Sequence, residues 1–281
     1  MLELESVSYR YAGAPGPSLR DVSLRLDDGE VVGVAGRSEA GKTTLCLVAS
    51  GLAPRTVGGT LRGRLMLDGT DVARRPIHEL VSTVGIAFSN PVTQLSGVAG
   101  TVHEEVAFGP MNLGLPRDEI LDRTRAALHM LQISELADRD PTRLSGGQQQ
   151  LVAVAGLLAL RPRHLVLDEP TAQLDPLGTR LVADALARLA GDGASILVTE
   201  QKTDLLAAVA RRILVLDGGV VAFEGDASGV LTDPRLPELG VQPPGTVRLR
   251  MSAERAELSG SARARLDDAI VAAAFEGAGA E

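Results

Sequence analysis

The chain predicts an α/β fold with a mainly parallel sheet, and three observations carry that prediction. Apolar runs of strand length recur along it: GEVVGVAG (29–36), VSTVGIAF (81–88), HLVLDEP (164–170) and ASILVTE (194–200). Segments of helical period lie between them, with Ile120, Thr124, Ala127 and Leu131 on one face, and Leu181, Ala185 and Leu189 on another. One strand-to-helix junction holds a glycine-bearing loop, Gly36-Arg37-Ser38-Glu39-Ala40-Gly41-Lys42-Thr43-Thr44, of the form G-x-x-x-x-G-K-[ST]. Strands alternating with helices make a phosphate-loop type α/β core the physical expectation.

That loop organises the rest. GEVVGVAG reads as a buried strand before it, and KTTLCLVAS as a helix after it, closed by Gly51 and Pro54. Strand, loop and helix N-terminus together aim a nest of backbone N–H groups at one spot, where a polyphosphate fits. Lys42 would reach the β- and γ-phosphates of ATP, and the Thr43 hydroxyl would ligate Mg²⁺. The remaining loop residues, Arg37, Ser38, Glu39, Ala40 and Thr44, would line the cradle.

Bulk properties bound the alternatives. At 281 residues the chain holds one large domain with an appendage, or two domains. A hydrophobic fraction of 44% with 2% aromatics suits a core of Leu, Val and Ala. The single Cys46 offers no disulfide, and its place in the helix after the loop makes it a small core residue. A formal charge of −8 argues against a nucleic-acid-binding surface. No apolar run reaches the roughly 18 residues that span a bilayer. The start, MLELESVSYR, alternates like a strand and carries no signal peptide. A cytoplasmic protein is expected, its membrane role, if any, supplied by a partner.

The other elements follow in order. LELESVSYR and VSLRL read as strands flanking the turn-rich AGAPGPS. Tyr9 and Tyr11 are the only tyrosines; Tyr11, nearer the loop, is the candidate to stack on adenine, the alternative being an edge-strand tyrosine packed on its neighbours. LRGRLMLDG gives a strand with an Asp68-Gly69 turn. From Ser89 to about Pro116 the sequence is loop-rich, with Pro and Gly recurring, and RDEILDRTRAALHMLQI then reads as a helix, together a helical insertion. Leu144-Ser145-Gly146-Gly147-Gln148 runs into the apolar helix QQLVAVAGLLAL. Ser-Gly-Gly at a helix start is a second anion-binding arrangement, suited to the γ-phosphate of a nucleotide held by another subunit; an ordinary serine cap is the other reading. HLVLDEP ends in two carboxylates: Asp168 suits Mg²⁺, and Glu169 could polarise the attacking water. Asp175-Pro176 opens a further helix as N-cap and first residue. RRILVLDGGVVAFEG reads as a hairpin turning at Gly218-Gly219, and beyond Asp226 the chain is proline-rich, with one helix over ARARLDDAIVAAAF and a frayed end.

Over roughly residues 1–225 the chain resembles an ATP-binding-cassette (ABC) ATPase, because the phosphate loop, LSGGQ, HLVLDEP and the AQLD segment occur in that family's order. FSNPVTQLSG followed by TVHEEVAFGPMNLGLP is more narrowly similar to the ATPases of energy-coupling-factor importers. The resemblance implies an antiparallel β subdomain, an inserted α-helical subdomain at about 89–160 and a C-terminal extension over 226–281. It implies two cassettes sandwiching ATP head to tail, with Ser145, Gly146, Gly147 and Gln148 on the partner's nucleotide and Asp175 at the seam. It also implies docking, around Val92 to Phe108, on a transmembrane coupling protein at the cytoplasmic face of the membrane, serving a membrane substrate-binding subunit for a vitamin or metal ion.

Three positions depart from the family. Glu39 replaces a loop glycine. Ser89 stands where the family has the glutamine that senses Mg²⁺ and the attacking water. Gln201 stands where the family has the histidine that contacts the γ-phosphate; it can hydrogen-bond but carries no charge. All three fall in the site built on this chain's own loop, while LSGGQ, which serves the opposite site, is intact. An asymmetric, paralogous heterodimer with a slow site here is therefore expected. The rivals are a soluble non-transport cassette switch, which would usually carry tandem cassettes or basic arms, and a non-hydrolysing structural subunit, which Ser89 and Gln201 favour and Glu169 opposes.

Overall fold

A computed structural model of the chain describes residues 1–72, 75–256 and 265. Period-two alternation builds the first sheet. In β1 (Leu2–Arg10) the side chains of Leu2, Leu4, Val7 and Tyr9 are buried, and the irregular beat between Leu4 and Val7 is a bulge at which Ser6 takes φ 47°. β1 pairs antiparallel with β2 (Leu19–Leu26) on one side and β4 (Thr60–Leu67) on the other. The Asp68-Gly69 turn, both residues left-handed, returns the chain into the short β5 (Thr70–Asp71). This antiparallel sheet, ordered β2-β1-β4-β5, is the antiparallel unit the resemblance implied.

The second sheet contains β3 (Val31–Ala35), β6 (Val84–Ala87), β7 (His164–Asp168), β8 (Ser195–Glu200), β9 (Arg212–Asp217) and β10 (Val220–Asp226). Its order is β10-β9-β3-β8-β7-β6; every pairing is parallel except the hairpin β9–β10, which turns at Gly218-Gly219 as its sequence predicts. Helix α1 (Lys42–Ala49) lies between the two sheets. Leu45, Cys46 and Val48 share a core with Leu2 and Leu24 of the first sheet and with Val34, Val166 and Leu197 of the second. Leu165, Leu167, Ile196 and Val198 alternate to the opposite face, where α6 (Pro176–Gly191) contributes Leu181, Val182 and Leu186. The parallel strands are thus buried on both faces, which is why they read as unbroken apolar runs.

The insertion follows α2 (Ile77–Leu80) and β6, and contains α3 (Val102–Asn112), α4 (Arg117–Met130) and α5 (Gly146–Leu160). Here the structure corrects the loop-rich reading of 89–116, because α3 occupies much of it. Thr101 accepts from Glu104 N at 3.2 Å while the Glu104 carboxylate accepts from Thr101 N at 3.2 Å, a capping box that satisfies two otherwise orphaned donors. Val102, Val106 and Pro110 recur every fourth residue on the buried side, so Pro110 is held in the helix by its packing. Beyond β8 come α7 (Asp204–Val209), α8 (Ala227–Leu231) and α9 (Gly245–Arg255). The helix expected over ARARLDDAIVAAAF lies outside the described residues but for Arg265.

Candidate nucleotide-binding site

Residues 36–41 carry the chain from the end of β3 to the start of α1. Lys42, Thr43 and Thr44 are the first residues of that helix, so their N–H groups have no carbonyl one turn earlier, and no side chain caps this end. They border a cavity of about 580 Å³ lined also by Ser38, Glu39, Gly41, Ser89 and Glu169. Gly41 is required by its geometry: φ is 107°, and a Cβ there would stand 3.0 Å from the Ser18 carbonyl oxygen and 3.1 Å from Leu19 Cδ2. Glu39 takes φ 65° with its side chain in solvent, which explains why a glycine suits the position and costs glutamate about 1 kcal/mol. Gly36, Arg37 and Ala40 support the loop from behind: Lys42 Nζ donates to the Gly36 carbonyl at 2.8 Å, Arg37 pairs with Asp217 at 3.2 Å, and the Ala40 carbonyl accepts from Gly219 N at 2.9 Å.

The charged groups converge on the same cavity. Lys42, 5% exposed, lies 3.1 Å from Glu169 Oε1. Thr43 Oγ1 donates to Asp168 Oδ2 at 2.7 Å, and Asp168 Oδ1 accepts from Thr199 Oγ1 at 2.7 Å. Free helical N–H groups, a buried ammonium and a hydroxyl–carboxylate pair of oxygen donors suit a magnesium nucleotide: the first two groups match phosphate oxygens and the last a hard cation. Cys46 packs beneath, its Sγ 4.0 Å from Asp168 Oδ1, and burial pushes its thiol up, so it is the inert core residue expected.

The structure does not bring every candidate to this cavity. Tyr11 donates to or accepts from Thr44 Oγ1 at 3.0 Å and meets Tyr9 edge-on at 4.9 Å, beside the helix start and outside the cavity lining. Gln201 is exposed just beyond β8 and is also outside it. Gln94 is occupied elsewhere, accepting from Phe88 N at 2.9 Å and donating to the Ile86 carbonyl at 3.2 Å, which leaves Ser89 alone on the wall. Pro17, Ser18 and Gly218 line the cavity without any sequence signal, because only the fold brings them together.

Glu200, unremarked in the sequence, is 2% exposed and accepts from Thr171 N at 3.1 Å and Thr171 Oγ1 at 2.6 Å. Burial raises its pKa to about 7. A folded pKa above the unfolded value means that the folded state holds the proton more tightly, so this group costs stability as pH rises from about 4.5 to about 7. Gln keeps an acceptor for both Thr171 donors. Glu200→Gln should therefore match the parent near pH 4.5 and exceed it by roughly 3 kcal/mol at pH 8 in denaturant unfolding. Reading the difference between the two proteins removes the opposite contribution of buried His164, whose pKa is lowered by burial.

Ser145, Gly147, Gln148 and Asp175 line a second groove, of about 390 Å³, that shares no residue with the first cavity. Ser145 caps α5: its hydroxyl accepts from Gln148 N at 3.3 Å, and Gln148 Oε1 accepts from Ser145 N at 3.1 Å. Gly146 sits under the exposed Gln173, whose Oε1 would be 2.4 Å from a Cβ at that position, so a larger residue there requires the Gln173 side chain to swing aside. Asp175 caps α6, accepting from Gly178 N at 2.7 Å. The serine-cap reading of LSGGQ is therefore realised within the chain, and the groove beside it is open.

The model of the ABC transporter family matches residues 19–172. Relatives from Pyrococcus abyssi and Methanosarcina mazei, both described as ABC transporter ATP-binding proteins, are each 40% identical over 252 residues, 89% of this chain. That alignment takes in 89% of the first and 42% of the second. The energy-coupling factor transporter ATP-binding protein EcfA of Methanothermobacter thermautotrophicus is 36% identical over 238 residues, 84% of this chain and 74% of its own length. Among solved structures, cbiO1 from Clostridium perfringens, part of the ABC transporter complex cbiONQ, superposes with a TM-score of 0.72 at 30% identity, covering 85% of this chain and 96% of that one. The chain belongs to the ABC transporter family, as one of its ATP-binding ATPase cassettes.

Proposed function

We propose that this cassette powers an importer of the energy-coupling-factor type, peripheral to the cytoplasmic face of the membrane, as one half of an asymmetric dimer. The observation that carries the transport reading is apolar surface on the insertion: Val92, Val98, Phe108, Met111 and Leu113 are 62, 75, 39, 58 and 37% exposed. Large apolar side chains left in solvent over one stretch of chain suit a protein surface to be covered, here that of a transmembrane coupling protein working with a membrane substrate-binding subunit for a vitamin or metal ion. The likeness to EcfA and to a part of the cbiONQ complex supports the same reading.

Within the cassette, taken as 1–225 with 226–281 as extension, the loop N–H groups and Lys42 hold the phosphates, and Tyr11 sits toward the adenine. Thr43 and Asp168 would hold Mg²⁺, which would supply neutralisation of the charge that develops on the phosphoryl group. Glu169 polarises the attacking water once the nucleotide has drawn Lys42 away from it. Ser145, Gly146, Gly147 and Gln148 close on the nucleotide of the second cassette, and Asp175 lies at the seam. Ser89 is too short to do a glutamine's work, and Gln201 has no charge for the γ-phosphate, so hydrolysis at this chain's own site is slow.

Turnover of the isolated chain measured against that of the chain with its paralogous cassette tests the asymmetry. The pair should run at least about tenfold faster, a barrier difference of roughly 1.4 kcal/mol. Gln201→His together with Ser89→Gln should raise the rate of the isolated chain. Full-speed hydrolysis by a homodimer of the unaltered chain would refute the slow-site reading.

A further inference from the structure

The turn that carries Gln201 is tied down on both sides. On the inner side, the Glu200 carboxylate accepts both donors of Thr171. Thr171 follows Glu169 by two residues, so this contact also reaches the turn of the proposed water-polarising carboxylate.

The outer side is held by chain from beyond β10. Lys202 and Gln242 form an isolated parallel bridge. Thr203, 1% exposed, donates its hydroxyl to the Gln242 carbonyl at 2.7 Å, and the Asp204 carboxylate accepts from Gly245 N at 2.9 Å. The segment itself is anchored, since Leu236 and Val241 are buried in the same core as Leu205 and Leu206 of α7. It also touches the phosphate loop, where Gly240 packs so closely on Arg37 that a Cβ would stand 3.2 Å from Arg37 Cβ. Gln201, Lys202 and Asp204 are exposed and Glu200 and Thr203 are buried; Lys202 is tied to Gln242 by its bridge and Asp204 to Gly245 N, so Gln201 stands between fixed neighbours.

We propose that residues 240–245 of the C-terminal extension are a positioning element of the ATPase site, holding the turn that presents Gln201 in register with the phosphate loop. The proposal rests on the reading that Gln201 acts at the γ-phosphate. A side chain that must meet a phosphate oxygen gains from a backbone fixed before the ligand arrives, since a misplacement of about 1 Å can cost as much as 100-fold in rate. The turn is short and solvent-facing, and its own strand ends at Glu200. The extension supplies the order that the strand no longer gives.

Thr203→Val in the full chain removes one hydroxyl while keeping the buried volume, and Thr203→Ser keeps the hydroxyl. Single-turnover hydrolysis at saturating ATP should fall about tenfold in the valine variant, with ATP affinity and melting temperature nearly unchanged, and should recover in the serine variant. Backbone amides at 201–204 should exchange hydrogen faster in the valine variant only. Parent-like turnover in Thr203→Val beside an impaired Gln201→Ala would overturn the proposal and leave the role of Gln201 standing. Parent-like turnover in both would overturn both. A loss that follows melting temperature, or that serine does not rescue, would reduce Thr203 to a structural residue and overturn the proposal as well.

Discussion

Glu169→Gln should lower single-turnover ATP hydrolysis by about 100-fold or more, while ATP still binds. The amide keeps the shape of the side chain and loses the ability to take a proton, so the effect falls on the chemical step. The position is not a soft one. Glu169 takes φ 49°, in the left-handed region, and its N–H donates to the Thr199 carbonyl at 3.0 Å, so the backbone aims the side chain whatever group it carries. Lys42 stands 3.1 Å away and holds the carboxylate before nucleotide arrives. The amide would release that ion pair, so affinity for ATP should be equal or slightly improved. Rapid-quench hydrolysis with a fluorescent-nucleotide titration separates the two terms, and a variant hydrolysing at the parent rate would remove Glu169 from the chemistry.

Lys42→Met should weaken ATP binding by about 100-fold, close to 3 kcal/mol, the range of one or two charge-assisted hydrogen bonds. Lys42 donates to the Gly36 carbonyl at 2.8 Å and the Arg37 carbonyl at 3.2 Å, so its stem crosses the mouth of the loop and its ammonium is already at the cavity. Methionine fills the stem and removes the charge. It also leaves Glu169 without its cation, so an anionic ligand meets repulsion as well as a missing partner. Calorimetric titration with ATP reads the change directly; parent-like affinity would mean that the helix N–H groups hold the phosphates alone.

The path from sequence to this site was short where one local stretch carried the signal. The phosphate loop, HLVLDEP and LSGGQ each combine strand or helix context with residues of one chemistry, and the parallel strands announce themselves as apolar runs because both faces are covered. The helix α3 was hidden by Gly109 and Pro110, although its Thr101-x-x-Glu104 cap was in plain view. Thr199 and Glu200 were hidden differently. They end an apolar strand and look like its polar fringe, and only the pairing of β7 with β8 sets Thr199 against Asp168 and Glu200 beside Thr171. Pro17, Ser18, Gly218 and Gln242 come from segments whose approach to the site is a property of topology, so no spacing within the chain could reveal them.

The cavity at the phosphate loop and the groove beside LSGGQ have no residue in common. A chain with a pocket at one place and a separate groove at another resembles a link with a hook and an eye. Joined through one hook and one eye at a time, such links grow into an open strand. A two-fold axis, exact between like copies and approximate between paralogues, engages both at once and stops the growth at two. In the proposed pair, closure would complete two sites in one motion, so the two nucleotides would share a fate even with only one of them in a site built to hydrolyse it quickly.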